Sequence, residues 1–153
     1  MSLPAILFVQ QTYAQWKALH FNVSEQGNDA ISGPRADPDN DGITNAQEYF
    51  HNLSPRAAPT AAERASALPE VAVEPTSGTP QFLTLTYRRS NRAIVAAIEH
   101  QISPAPGTAW TTATPDAIEQ LSPDAFSDDS RVRVKFAIPA GETKRFVRLV
   151  ITP

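Results

Sequence analysis

Residues 37–48 read DPDNDGITNAQE and fit the calcium-loop pattern D-x-[DN]-x-[DN]-G-x5-E at every constrained position. Calcium takes about six to eight oxygen ligands, which a loop of this length supplies from positions 1, 3, 5, 7, 9 and 12. Gly42 stands at position 6, where the chain turns sharply and a residue without Cβ is favoured. The candidate ligands are Asp37, Asp39, Asp41, Ile43, Asn45 and Glu48. The alternative interpretation is a solvated acidic turn that begins a helix.

Each candidate ligand offers the kind of oxygen that its position uses. The three aspartates give carboxylates, and Ile43 can give only its backbone carbonyl. Asn45 can ligate directly or through a water, and Glu48 can close the site with both carboxylate oxygens. The pattern therefore predicts one Ca²⁺ bound within residues 37–48.

The chain on either side of the loop predicts a helix only after it. Gly33-Pro34 stands before the loop and Pro38 lies inside it, and both oppose a helix that runs straight into Asp37. Residues 43–52 contain good helix formers and predict an exit helix. A second amphipathic helix is predicted for residues 12–21, with one largely aromatic face formed by Tyr13, Trp16, Leu19 and His20. We expect this face to pack on the exit helix and form the small core of the module.

A loop followed by an exit helix resembles the half EF-hands of dockerins and the calcium loops of thrombospondin type 3 repeats. Residues 13–49 also resemble a segment of large exported proteins of Verrucomicrobia-type bacteria, on the stretches YAQW, HF, AISGP, DPDNDGITN and EY. There the segment precedes a β-rich C-terminal piece, which LTLTYRR (83–89) and RFVRL (145–149) resemble loosely. The resemblance implies an extracellular or cell-surface location, and we expect the chain to be a piece of a longer exported protein.

The hydrophobic pattern changes from a helical period to alternation across a stretch rich in proline and alanine. We predict an α+β protein with three parts: a half EF-hand-like helical calcium module (1–53), a linker (54–69) and an antiparallel β-sandwich (70–153). Within the linker, Thr60 and Glu63 form a capping pattern for a short helix, and an extended linker is the alternative.

Composition narrows the function classes. The 153 residues carry no cysteine, which excludes disulfides, thiolate zinc sites and cysteine nucleophiles. Residues 1–69 hold 4 basic and 7 acidic groups (net −3) and residues 70–153 hold 9 of each (net 0), so nothing predicts binding to nucleic acid. No apolar run approaches the roughly 20 residues of a membrane helix, and membrane insertion is not expected.

No catalytic pattern appears in the sequence. The three histidines lie in unrelated contexts, and no nucleophile elbow, P-loop or dinucleotide fingerprint is present. We therefore expect no enzyme activity, no catalytic residue and no organic cofactor. The expected function is a calcium-stabilised structural or adhesion module whose partners are calcium and another region of a parent protein.

The alternative function is a carbohydrate-binding module that holds a polysaccharide or surface glycan through its β-domain. Its candidate elements are an exposed Trp110 and a basic stripe along one strand. The stripe consists of Arg131, Arg133 and Lys135, to which Arg88 and Arg148 can add. Burial of Tyr87, Trp110 and Phe136 favours the structural function, whereas an exposed row of aromatic rings favours the carbohydrate-binding one.

Overall fold

The computed structural model describes residues 9–75, 81–105, 107–142 and 145–153. In these ranges helices come first and strands follow, which confirms an α+β class with antiparallel sheets. The helices are α1 (Tyr13–His20), α2 (Val23–Gln26), α3 (Asp29–Ser32), α4 (Asn45–His51) and α5 (Ala61–Ala67). The strands are β1 (Glu70–Glu74), β2 (Phe82–Arg89), β3 (Ala97–Ser103), β4 (Thr111–Thr112), β5 (Ala117–Gln120), β6 (Ser130–Ala137) and β7 (Phe146–Thr152). None of the described helices is long and apolar enough to cross a membrane.

The predicted packing of α1 on the exit helix α4 is confirmed for Tyr49, whereas Phe50 and Leu53, also expected there, belong to other clusters. A capping box begins α1, in which the backbone N–H of Gln15 donates to Thr12 Oγ1 and that of Thr12 donates to Gln15 Oε1. Trp16 is buried, and its ring stacks on Tyr13 at 5.3 Å between centroids and meets Tyr49 edge-on at 5.8 Å. Leu19 is 74% exposed, because this two-turn helix buries only the centre of its apolar stripe.

The strands form two antiparallel sheets in the orders β1-β2-β6-β5 and β4-β3-β7. In the first sheet Leu85 pairs with Val134 and Tyr87 with Val132, and these buried side chains alternate with residues of the outer face. Side chains of the second sheet pack against the same cluster, among them Ile98, Leu149 and Ile151. The two sheets therefore pack face to face on one hydrophobic core.

The core of the sheets also contains a residue of the helical half. Phe50 of α4 is 1% exposed and belongs to the same cluster as Leu85 and Val134. The Tyr49 hydroxyl lies 2.6 Å from the carbonyl oxygen of Gln11 and 2.7 Å from that of Ile94. The division into modules at 54–69 stays a prediction, but α4 makes contacts that cross it.

The short helix predicted between the two halves is present as α5. Its N-cap is Thr60, whose Oγ1 accepts the backbone N–H of Glu63. Ala67 is fully buried and packs with Ile43 and Leu53. This stretch is thus attached to the helical half and is not an extended linker.

Candidate metal centre

The backbone of residues 37–48 forms a tight loop before α4. Helix α3 ends at Ser32, so no helix enters the loop directly, as the two prolines predict. Gly42 has φ 85° and Asn40 has φ 59°, which places both in the left-handed region. Glycine enters that region at little cost, and asparagine does so more readily than most other residues.

The aspartate side chains hold the turns of the loop through the backbone. The N–H of Gly42 donates to Asp37 Oδ2 at 2.9 Å, and the N–H of Ile43 donates to Asp41 Oδ1 at 2.7 Å. One carboxylate oxygen each of Asp37, Asp39 and Asp41 lies within 4.8 Å of the others. The loop thus brings together the first three predicted ligands.

Glu48 lies in the first turn of α4 and is fully buried. Its carboxylate lies outside the cluster formed by the three aspartate oxygens. Neither of its carboxylate oxygens has a hydrogen-bond partner in the described part of the chain. Burial, followed by the charges of Asp39, Asp41 and Asp37, raises the pKa of Glu48 to about 8. A buried carboxylate without a partner is costly, and either protonation or a bound cation relieves that cost.

Asn45 is fully buried and has a defined orientation. Its Nδ2 donates to the carbonyl oxygens of Ile31 and Gly33, both at 2.9 Å. Its Oδ1 has no hydrogen-bond partner among the described residues. The amide nitrogen therefore links the end of α3 to the start of α4, and the amide oxygen remains free to bind a cation.

The Ile43 side chain is 1% exposed and packs under the loop against Leu53 and Ala67. It therefore anchors the loop to α5 by an apolar contact. The role of its backbone carbonyl as a ligand stays a prediction.

Calcium fits the chemistry of this donor set. In the described residues, five buried oxygen atoms of the loop and α4 lack hydrogen-bond partners: Asp39 Oδ2, Asp41 Oδ2, Asn45 Oδ1, Glu48 Oε1 and Glu48 Oε2. All belong to carboxylate or amide groups, the oxygen ligands that a hard cation prefers. Buried polar atoms in proteins normally have partners, so this concentration of unpaired oxygens points to a ligand.

Arg64 of α5 contacts the loop, although the sequence gives no signal for it. Its Nη1 donates to the carbonyl oxygen of Asp41 at 3.1 Å and lies 3.8 Å from Asp41 Oδ2. Asp41 and Arg64 are 23 residues apart, and only the folded position of α5 brings them together. Arg64 thus places a positive charge beside a candidate ligand.

The predicted basic stripe is largely neutralised. The prediction that Arg88 belongs to it is wrong, since Arg88 is fully buried and its Nη1 lies 3.1 Å from Asp124 Oδ1. Arg133 lies 3.4 Å from a Glu74 oxygen, and Lys135 lies 2.6 Å from one of Glu119. This charge pairing is typical of the outer face of an antiparallel sheet.

Trp110 is partly buried, and the Arg148 guanidinium lies 4.4 Å from the centre of its ring. Tyr87 is 3% exposed and Phe136 is 2% exposed. Tyr87 and Phe136 thus do not form the exposed row of rings that would favour carbohydrate binding. No family model, curated protein or solved structure matches this chain.

Proposed function

We propose that residues 37–48 bind one calcium ion through Asp37, Asp39, Asp41, the Ile43 carbonyl, Asn45 and Glu48. The observation that carries this proposal is the Glu48 carboxylate, which is fully buried, has no hydrogen-bond partner in the described chain and stands in the first turn of the helix that follows the three grouped aspartates. The three grouped aspartates repel one another without a cation, and the ionised form of Glu48 also bears the cost of burial; a divalent ion offsets both. In this proposal the loop and α4 act as a half EF-hand.

The test is calorimetric titration of the protein with calcium, run beside thermal melting in calcium and in chelator. We expect one site and a higher melting temperature in calcium, since binding stabilises by about 2.7 kcal/mol at a hundredfold excess over Kd. Single loops of extracellular modules bind at roughly 10⁻⁴–10⁻³ M, and we expect this one near the weak end. No heat of binding together with an unchanged melting temperature would overturn the proposal.

Two variants sharpen the test. Glu48→Gln keeps the shape of the side chain but removes a charge and an anionic oxygen pair, so it should abolish binding or weaken it at least tenfold. Asp128→Asn is the matched control, because Asp128 is an exposed acidic residue outside the loop. The control should bind calcium as the wild type does.

Terbium luminescence provides an independent measurement of binding at this place. Trp16 contacts Tyr13 and Tyr49, and Tyr49 follows Glu48 in α4. We expect excitation of these rings to sensitise terbium in the wild type, and calcium to displace it. Emission that persists in Glu48→Gln would place the ion elsewhere.

We further propose that the chain is a structural or adhesion module of an exported or cell-surface bacterial protein, without enzyme activity. Two points support this role: the loop region resembles a segment of large exported bacterial proteins, and a single loop is expected to bind calcium weakly. Such a site fills at the millimolar calcium outside a cell. Its partner in this proposal is another region of a parent protein.

Carbohydrate binding is the second candidate function, and one cluster of side chains favours it. On the outer face of the second sheet, Arg148 Nε and Nη2 donate to Gln101 Oε1 at 2.9 and 2.7 Å beside Trp110. An indole next to planar polar groups is suited to a sugar ring. A glycan array tests this candidate: saturable binding that is lost in Trp110→Ala supports it, and no binding contradicts it.

A further inference from the structure

Helix α4 connects the candidate calcium site with the sheets. Glu48 lies in its first turn, and the next residues, Tyr49, Phe50 and His51, are all buried. An isolated helix of seven residues is not stable in water, so α4 depends on what holds its two ends. One end is held by the loop and the other by the sheets.

The apolar attachment to the sheets is Phe50. Its ring lies 6.0 Å from that of Tyr87, and both belong to the cluster that also contains Leu85 and Val134. Interiors of proteins are close-packed, so Phe50 cannot move without a change in the packing of β2 and β6.

The polar attachment is a set of hydrogen bonds at the C-terminal end of α4. Arg88 of β2 donates from Nε to the carbonyl oxygen of His51 at 2.6 Å and from Nη2 to that of Asn52 at 3.1 Å. His51 Nδ1 donates in return to the carbonyl oxygen of Arg88 at 2.6 Å. All these contacts join α4 to a single strand.

We propose that calcium occupancy of the loop controls the packing of the β-sheet core through α4, so that loop and sheets form one cooperative unit. This inference rests on the proposed calcium site. Without the cation, Glu48 is buried without a hydrogen-bond partner in the described chain, and its ionisation there is opposed by burial and by the three aspartates; both costs are relieved when Glu48 moves toward water. Because Glu48, Phe50 and His51 belong to one short helix, that movement withdraws Phe50 from the core and strains the bonds to Arg88.

Hydrogen exchange of the whole chain, followed by mass spectrometry, tests the coupling. Calcium at about 10 mM, above the roughly 10⁻⁴–10⁻³ M range of such sites, is compared with chelator. We expect the peptide that covers β2 (82–89) and the one that covers β3 (97–103) to exchange at least tenfold more slowly in calcium. Independent modules would show protection only in the loop and α4.

The outcomes separate this inference from the proposed function. Calcium binding by calorimetry with unchanged exchange in β2 and β3 overturns the coupling and leaves the calcium site intact. Absence of calcium binding overturns both.

Glu48→Gln gives a second test, because it removes the charge that drives the movement. In chelator its β2 peptide should exchange at least as slowly as that of the wild type, and calcium should add less protection than it adds to the wild type, in proportion to the binding that remains. Asp128→Asn should keep the full calcium response. Full wild-type protection of β2 in Glu48→Gln, at a calcium concentration where calorimetry shows no binding to that variant, would overturn the coupling through Glu48.

Discussion

Arg88 and His51 exchange two hydrogen bonds across the boundary between α4 and β2. Arg88 Nε donates to the His51 carbonyl oxygen, and His51 Nδ1 donates to the Arg88 carbonyl oxygen, each at 2.6 Å. Both residues are fully buried, and the Arg88 guanidinium also pairs with the buried Asp124. This reciprocal pair fixes the direction of α4 on the first sheet.

The buried position of His51 predicts a loss of stability in mild acid. Burial lowers the pKa of His51 to about 4, whereas an unfolded histidine titrates near 6.5. Between these values the unfolded chain binds more protons than the folded one, so the free energy of unfolding falls as the pH falls. Between pH 6.5 and pH 4, protonation of His51 in the unfolded chain lowers the free energy of unfolding by roughly 3 kcal/mol. Above pH 6.5 this loss is absent. Urea unfolding at a series of pH values from 7 to 4 measures it.

The control for this prediction is the comparison of two variants. His51→Asn keeps a donor near the Arg88 carbonyl but cannot titrate, so its free energy of unfolding should fall less steeply with pH. His20→Asn should keep most of the dependence, because His20 is only half-buried. Equal slopes in the wild type and His51→Asn would contradict the assignment.

Arg64→Met should lower the melting temperature in chelator. It should also enlarge the increase in melting temperature that calcium produces. The guanidinium offsets the charge of Asp41 when the cation is absent, a partly exposed contact worth about 0–1 kcal/mol. When the cation is present the two positive charges repel, so the calcium affinity of Arg64→Met should increase a few-fold. Thermal melting and calorimetry measure both effects, with Arg89→Met as an exposed control. A weaker affinity in Arg64→Met would show that Arg64 acts mainly by holding the loop.

Phe50→Ala should destabilise the whole chain by about 3–5 kcal/mol, the usual cost of removing a buried phenylalanine. Phe50 is 1% exposed and sits in the core of the sheets. Leu19→Ala is the control, and because Leu19 is exposed it should change the free energy of unfolding by no more than about 0.5 kcal/mol. Urea unfolding at saturating calcium compares them, and similar values for both would contradict the placement of Phe50.

Tyr49→Phe should cost about 1–2 kcal/mol, since it removes the one hydroxyl proton that the carbonyl oxygens of Gln11 and Ile94 share. The shape of the ring is kept, so the aromatic cluster with Trp16 should remain. Near-ultraviolet circular dichroism checks the cluster, and urea unfolding gives the free energy. An unchanged free energy would mean that water replaces the hydroxyl at no cost.

Helices α1, α4 and α5 are predictable from sequence because their signals are local, whereas residues 24–33 read as an irregular connector and contain most of α2 and all of α3. The Thr12 and Thr60 caps, the turn at Gly42 and the helix after the loop each depend on residues within a few positions of one another. Alternation of apolar residues likewise indicates β2 and β6. The start of β3 is less predictable: the apolar run at residues 94–98 indicates a buried strand, but Ile94 is 45% exposed and the strand begins at Ala97.

Twelve consecutive residues at fixed spacing predict which oxygens would surround a cation, and no structure is needed for that prediction. The surroundings of the loop depend on the fold: Arg64 lies beside Asp41, Phe50 lies in the core of the sheets, and Arg88 is buried against Asp124. Arg64 and Asp41 are 23 positions apart in the sequence, and Arg88 and Asp124 are 36 apart. Spacing along the chain carries no information about these contacts, because packing in three dimensions and the cost of burying an unpaired charge select the partners.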